Sequence, residues 1–249
     1  GTHGKPFHAG KAAMDGILAA QLASEGHVAA TNLFELQKGW LDAFIQDRQV
    51  EVMPLDFSQW EILTNGFKLF ASCRATHAST QAARSLAQKV GDRRITRVHA
   101  RVHANALVTA GRTNPQTPLE GKFSVPFCIS LGLCGYRVVA TDFVDATMQD
   151  RRVMDVVPLV ELEADDKQPN YEAHLDVWLE DGEQLHADTD IVRGHPDNPL
   201  TWDDLRTKFE GLVEPVLGKD RTAELYETAR SFGAPGSMEA LSRLLAGTL

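Results

Sequence analysis

Arg94–Val108, RITRVHARVHANALV, decides what kind of fold this chain adopts. Val98, Ala100, Val102 and Ala104 fall on one side of a period of two, and Arg97, His99, Arg101 and His103 on the other. Side chains along a strand point alternately to opposite faces, so the pattern predicts a strand with one wet face. Further strands are expected at Leu159–Ala164, Ala173–Leu179 and Gln184–Asp190. The last two flank Glu180–Glu183, EDGE, whose Asp-Gly pair is a hairpin signal. The Pro/Asn-rich stretch Gly111–Pro118, GRTNPQTP, is a loop, and Leu119–Gly135 reads as a helix with the apolar centre VPFCISLGLCG. Pro126 within it marks a kink or a late start. Asp145–Val156 has the pattern of a short amphipathic helix. Residues 92–193 are therefore expected to form an α+β unit of about four strands and two helices.

The flanks are different. Residues 9–25 are Ala-rich with apolar residues near helical spacing, and Gly26 is a natural stop. Asn32 can cap the next helix, with Glu35 three residues on as in a capping box, and the helix continues as LFELQKGWLDAFIQ. Residues 48–66 are irregular, and Ser79–Gly91, STQAARSLAQKVG, is a small-residue helix. After the linker Gly194–Pro199, GHPDNP, Thr201 can cap a last helical region, with Asp203 and Asp204 complementing the dipole of its first turn. The order is helical (1–91), α+β (92–193), helical (194–249). The terminal helices need an apolar surface and the first helices offer one. The expected architecture is thus a mainly helical domain into which the smaller α+β domain is inserted, in preference to three pieces side by side.

At 249 residues and 43 % hydrophobic, the chain can bury a substantial core. A net charge of −9 argues against a nucleic-acid or anionic-membrane partner. A pocket of opposite sign remains compatible with it. Three cysteines, Cys73, Cys128 and Cys134, suit reduced thiols better than a disulfide framework, pointing to a cytoplasmic setting, or a mitochondrial one in a eukaryote. No run of about 18 apolar residues offers a membrane span, and no signal peptide opens the chain.

Two cation-rich loops carry the chemistry. Gly1–Ala13, GTHGKPFHAGKAA, holds Lys5 and His8 and runs into a helix; Phe67–His77, FKLFASCRATH, holds Lys68, Ser72, Cys73, Arg74 and His77 and runs into another. Helix starts expose unpaired N–H groups and the positive dipole end, so each loop is part of a carboxylate-binding pocket. Removing a proton next to a carboxylate needs a base and a cationic cradle for the enediolate. Lys5 and Lys68 suit the cradle or proton exchange, His8 and His77 suit acid or base, and Arg74 can clamp a carboxylate with two bonds. The plain alternatives are surface lysines, capping or gap-filling histidines and a surface ion pair. Cys73 is a small buried thiol or a nucleophile that this chemistry does not require; Cys128 and Cys134 belong in a core. The cysteine spacing does not suit an iron–sulfur cluster. His99, Arg101 and His103 share a face that is a solvated stripe more readily than a metal site. There is no phosphate loop and no Gly-x-Ser-x-Gly elbow. Neither a cofactor nor a metal is expected.

Three stretches resemble one family. GTHGKPFHAGKAAMDGILAAQLASEG is similar to the Lys-Pro-x-His-x-Gly-x-Ala-Ala loop and helix of the MmgE/PrpD family. FKLFASCRATHASTQAA resembles its Lys-x-(Phe/Tyr)-x-x-Cys-x-x-x-His segment, and TPLEGKFSVPFCISLGLCG its Glu-x-Lys-Phe-Ser-x-Pro segment. GHPDNPLTWDDLRTKFEGL looks like the family's return to its helical domain. The resemblance implies a large helical domain with a smaller α+β lid and the site between them. It also implies a homodimer and a polycarboxylate substrate. The family includes 2-methylcitrate dehydratase, cis-aconitate decarboxylase and iminodisuccinate epimerase, which work without a metal. Lys5, His8, Lys68 and His77 then carry catalysis, and Ser72, Cys73 and Arg74 hold substrate.

Two departures stand out. The opening resembles the family's middle. This implies the C-terminal portion of a longer enzyme, without a helical segment that supplies some acid–base residues. Phe127 stands near where decarboxylase-like members have a tyrosine, which weighs against decarboxylation. The expected function is a metal-free lyase on a tricarboxylate of the methylcitrate or aconitate type. The alternatives are an epimerase working by the same proton abstraction, and a catalytically incomplete piece that only binds.

Overall fold

The computed structural model describes residues 4–34, 36, 38–45 and 57–246, and the chain divides into two compact units, residues 1–60 and 61–249. In the first unit, α1 runs over Gly4–Ser24 and α2 over Trp40–Phe44. Alanines and straight-chain residues favour α1, and a Lys11–Asp15 pair one turn apart supports it. Gly26 ends it in the left-handed conformation at φ +84°. None of its residues is buried. The helix expected from Leu33 onward is reduced to the short α2. The chain turns at Lys38, where φ is +61°, and Gly39 sits so close to the Leu33 and Leu36 carbonyls that no Cβ fits. The expected capping partner Glu35 lies outside the described residues.

The second unit holds the sheet. In chain order come α3 (His77–Val90), β1 (Ile95–Val102), α4 (Ala104–Ala110), α5 (Pro118–Gly121) and α6 (Val125–Leu133). Then follow α7 (Asp145–Met148), α8 (Arg151–Met154), β2 (Val160–Ala164), β3 (Ala173–Leu179) and β4 (Gln184–Thr189). The helices α9 (Trp202–Leu217), α10 (Lys219–Arg230) and α11 (Ser237–Ala246) close it. The strands stand in the order β2-β1-β3-β4, with β1 parallel to β2 and antiparallel to β3. The fold class is α+β, as the sequence implied.

Val98, Ala100 and Val102 of β1 and Leu175, Val177 and Leu179 of β3 face a core completed by Ala82, Ala83 and Leu86 of α3 and Val125, Ile129 and Leu133 of α6. The opposite face carries cross-strand pairs such as Arg97–Glu161 and His99–Glu163. Every residue of α6 is buried, because the helix also packs a second cluster with Phe70, Val138, Phe143 and Val153. α3 and α6 approach at Gly132, where an added Cβ would lie 2.9 Å from the Ala83 Cβ.

Three expectations change in detail. β1 stops at Val102, because His103 turns out of the strand and its Nδ1 accepts from the Asn105 N–H (3.0 Å), capping α4. The helix expected over 119–135 is two helices. Ser124 accepts from the Phe127 N–H (3.1 Å) and starts α6, so Pro126 marks a late start and not a kink. The helix expected over 145–156 is also two single turns, the second capped by Asp150. The α+β unit therefore has more than two helices. Downstream, Thr201 and Asp204 form the capping box of α9.

Replacing Gly132 by Val should cost about 1–3 kcal/mol of stability, read as a lower urea midpoint. Gly211→Ala in α9, where nothing lies within 4 Å of the added carbon, should be neutral or stabilise by up to ~1 kcal/mol.

Candidate active site

The segment Phe67–Cys73 is clamped by main-chain bonds to three other segments. The Phe67 N–H donates to the Gly194 carbonyl (2.7 Å), the Ala71 N–H to that of Val138 (2.9 Å) and the Cys73 N–H to that of Lys122 (2.8 Å). Gly194 has φ +87°, and a Cβ there would lie 2.0 Å from the Phe67 oxygen, so only glycine fits. The linker read from GHPDNP is thus one jaw of this clamp. From Cys73 the chain enters a single 3-10 turn, Arg74–Thr76, that continues directly into α3.

Cations gather here. The Arg74 guanidinium donates to the Phe67 carbonyl (3.0 Å), the Lys68 ammonium to that of Ser72 (3.4 Å), and Lys208, arriving on α9, to that of Lys68. Each holds a main-chain carbonyl, and none of the three is in an ion pair among the described residues. Neither the 3-10 turn nor α3 has an acidic residue in its first turn or a side-chain cap. The positive end of the helical run adds to the same field. Burial and the nearby Lys68 charge lower the pKa of Lys208, and burial lowers that of Arg74. Excess positive charge with spare donors, partly withdrawn from water, is the arrangement that binds carboxylates.

His77 does not join this group as an exposed acid or base. It is 0 % exposed, its ring meets Phe70 edge-on at 5.2 Å, and neither ring nitrogen has a hydrogen-bond partner. Burial, then the charge of Arg74, pushes its pKa down to about 3; the Ser72 backbone pulls the other way, and the charges of Lys68 and Lys208 add smaller downward pushes. The structure thus places His77, expected from the sequence as an acid or base, in the interior with both ring nitrogens withdrawn from water. Ser72, expected to hold substrate, is 6 % exposed, and its hydroxyl pairs with that of Thr76 at 2.7 Å. Cys73 is half-buried and packs beside the sheet core. Cys128 is wholly buried and its thiol is pushed up to about 12, while that of Cys134 is pushed up to about 11, as core thiols are.

Lys5 and His8 lie in the other unit. Both are exposed, and both stand in the first two turns of α1, not on the glycine-punctuated loop expected. Pro6 is tolerated there because a first-turn residue has no intrahelical N–H bond to lose. Their separation by three places them on one side of that helix. Among the described residues no three His, Cys, Asp or Glu side chains form a metal-binding group. Lys208 escaped the sequence reading. It stands in TWDDLRTKFEGL as an ordinary helical lysine, and only tertiary contact joins it to Lys68.

The linkage of His77 has a definite sign. Its folded pKa lies below the unfolded value near 6.5, so the unfolded chain binds an extra proton between those two values. His77 therefore favours the fold at neutral pH, and that contribution is lost from about pH 6 down to about 3. The expected slope from this group is about 1.4 kcal/mol per pH unit. Urea titrations of wild type and His77→Phe between pH 4 and 7 should differ by about this slope, and carbon-detected NMR should show a neutral His77 ring throughout.

Comparison with known proteins returns to the same stretches. The model of the MmgE/PrpD C-terminal domain matches residues 70–232, and that of the MmgE/PrpD N-terminal domain matches residues 1–53. Cis-aconitate decarboxylase of Homo sapiens is 26 % identical over 260 residues, which cover 99 % of this chain and 53 % of that protein. The Mus musculus cis-aconitate decarboxylase is 26 % identical over 262 residues, again 99 % of this chain and 53 % of the relative. The chain spans about half the length of the curated relatives it matches. With its sheet, α3 and α9 all inside the C-terminal match, this chain belongs to the MmgE/PrpD family.

Proposed function

We propose that this chain forms part of a lyase that removes the elements of water from a hydroxylated tricarboxylate of the methylcitrate or citrate type. The observation that carries this is the set of three cations, Lys68, Arg74 and Lys208, that occupy main-chain carbonyls and, among the described residues, no carboxylate. Such a set stabilises a substrate carboxylate and, more strongly, the dianionic enediolate formed from it. In the reaction a base breaks a C–H bond next to the carboxylate and the electron pair moves into that carboxylate. Its return forms the alkene and expels the β-hydroxyl, which takes a proton and leaves as water. Lys68 and Arg74 cradle the carboxylate. Lys5 and His8, in the first unit, are proposed acid–base groups on the segment most like the family's Lys-Pro-x-His loop. The relatives' name specifies decarboxylation of cis-aconitate. Phe127 supports dehydration instead: its ring is buried against Phe143 in the second core cluster and offers no hydroxyl.

The test is proton NMR of citrate, 2-methylcitrate and cis-aconitate with the protein in deuterated buffer. New alkene signals from a hydroxylated acid are expected, and Lys68→Met should slow their appearance at least ~100-fold with the fold intact. Deuterium entering recovered acid with no alkene would replace this reading by the epimerase. Unchanged spectra for every acid would remove both.

A further inference from the structure

A cavity of about 120 Å³ opens beside the Lys68 segment, and Leu69, Ala71, Arg137, Thr141, Thr207 and Lys208 are among its walls. Leu69 and Ala71 line it, while Phe70 between them is buried against His77. The cavity thus shares the segment that carries Lys68. It also shares Lys208, whose ammonium gives one bond to the Lys68 carbonyl and has donors to spare.

Arg137 is the second cation of this cavity, and like Lys208 it has no ion pair among the described residues. Asp142, in the same turn, accepts from the Val139 N–H (2.9 Å) and acts on the charge of Arg84. Between Arg137 and Val139, both on the cavity wall, stands Val138 with φ +59°. A β-branched residue is strained in that region. Val138 is fully buried, and its carbonyl is fixed by the Ala71 N–H, so the surroundings hold the strain in place. A strained turn thus keeps an arginine, without an ion pair among the described residues, on the wall of a cavity that it shares with Lys208 and that is otherwise mostly apolar.

We infer that this cavity is a carboxylate subsite in which Arg137 and Lys208 hold one arm of the acid whose other carboxylates meet Lys68 and Arg74, making the site select tricarboxylates over dicarboxylates. The inference rests on the carboxylate-binding reading above. Lys208 is the hinge between the two halves: it fixes the Lys68 backbone on one side and supplies charge to the third carboxylate on the other. Thr141 and Thr207 add neutral donors at the cavity wall.

The experiment is calorimetric titration with tricarballylate and with glutarate, which differ by a single carboxylate, at one fixed ionic strength. Wild type should bind tricarballylate at least about tenfold more tightly than glutarate. Arg137→Gln should bring that ratio towards one, with glutarate affinity changed less than about threefold, and Lys208→Gln should weaken both acids, tricarballylate by the larger factor. Lys208→Arg, which keeps the charge, should preserve the ratio. Arg74→Gln should weaken both acids alike. If Lys208→Gln and Arg137→Gln weaken both acids equally, the two residues only support the loop and the subsite is overturned while the carboxylate site stands. If the ratio stays at its wild-type value in both variants, the subsite is likewise overturned. Wild type binding neither acid would bring down the carboxylate reading, and the subsite with it.

Discussion

Where Phe67 meets Gly194, two chain segments come together with no room for a side-chain carbon. The position of the cationic loop follows from that contact. The Phe67 N–H is paired to Gly194, its carbonyl is covered by Arg74, and the next carbonyl, that of Lys68, is covered by Lys208. Gly194 in turn follows Arg193, whose N–H donates to Gln81 of α3 (2.8 Å) and whose guanidinium pairs with Asp204 in the cap of α9. A loop, the start of a helix and the return of the chain after the sheet are thereby held to one geometry. Main-chain bonds set this register, which side-chain packing alone would leave adjustable.

The second constraint is electrostatic. Like charges placed together raise the energy of the empty site, and main-chain carbonyls relieve only part of that cost because they are neutral dipoles. A bound anion would relieve the rest, since neither the loop nor the first turn of α3 carries an acid of its own. His77 fits the same logic. A neutral, buried imidazole beside three cations adds no further positive charge, and its ring fills space against Phe70.

The sheet was legible because period-two alternation and an Asp-Gly turn are local signals: each expected strand is present, within one residue at most ends. β1 is the exception at its C-terminal end, where His103 satisfies the backbone of α4 and ends the alternation. One-turn helices such as α7 and α8 were not separable, since four residues carry no helical period. That Lys68 and Arg74 stand close together follows from their places in one short loop. The burial of His77 and Ser72 does not follow in this way, because burial depends on Phe70, α6 and the sheet and not on neighbours in sequence. Lys208 and Arg137 lie 140 and 69 positions from Lys68, and no spacing rule links residues so far apart. The change of composition near residue 92 reflects a change of secondary structure, while packing runs across it: α3 shares one core with β1 and β3.

α6 is buried on every side because one flank belongs to the sheet core and the other to the cluster around Phe70 and Phe143. A helix shared in this way cannot be released by one cluster without stripping the other of half its contacts. The sheet and the loop that carries Lys68 therefore belong to a single cooperative unit of opening and closing. The apparent rigidity of the cationic loop is on this account borrowed: it is set by the free energy of opening the whole unit and not by the few bonds the loop makes for itself.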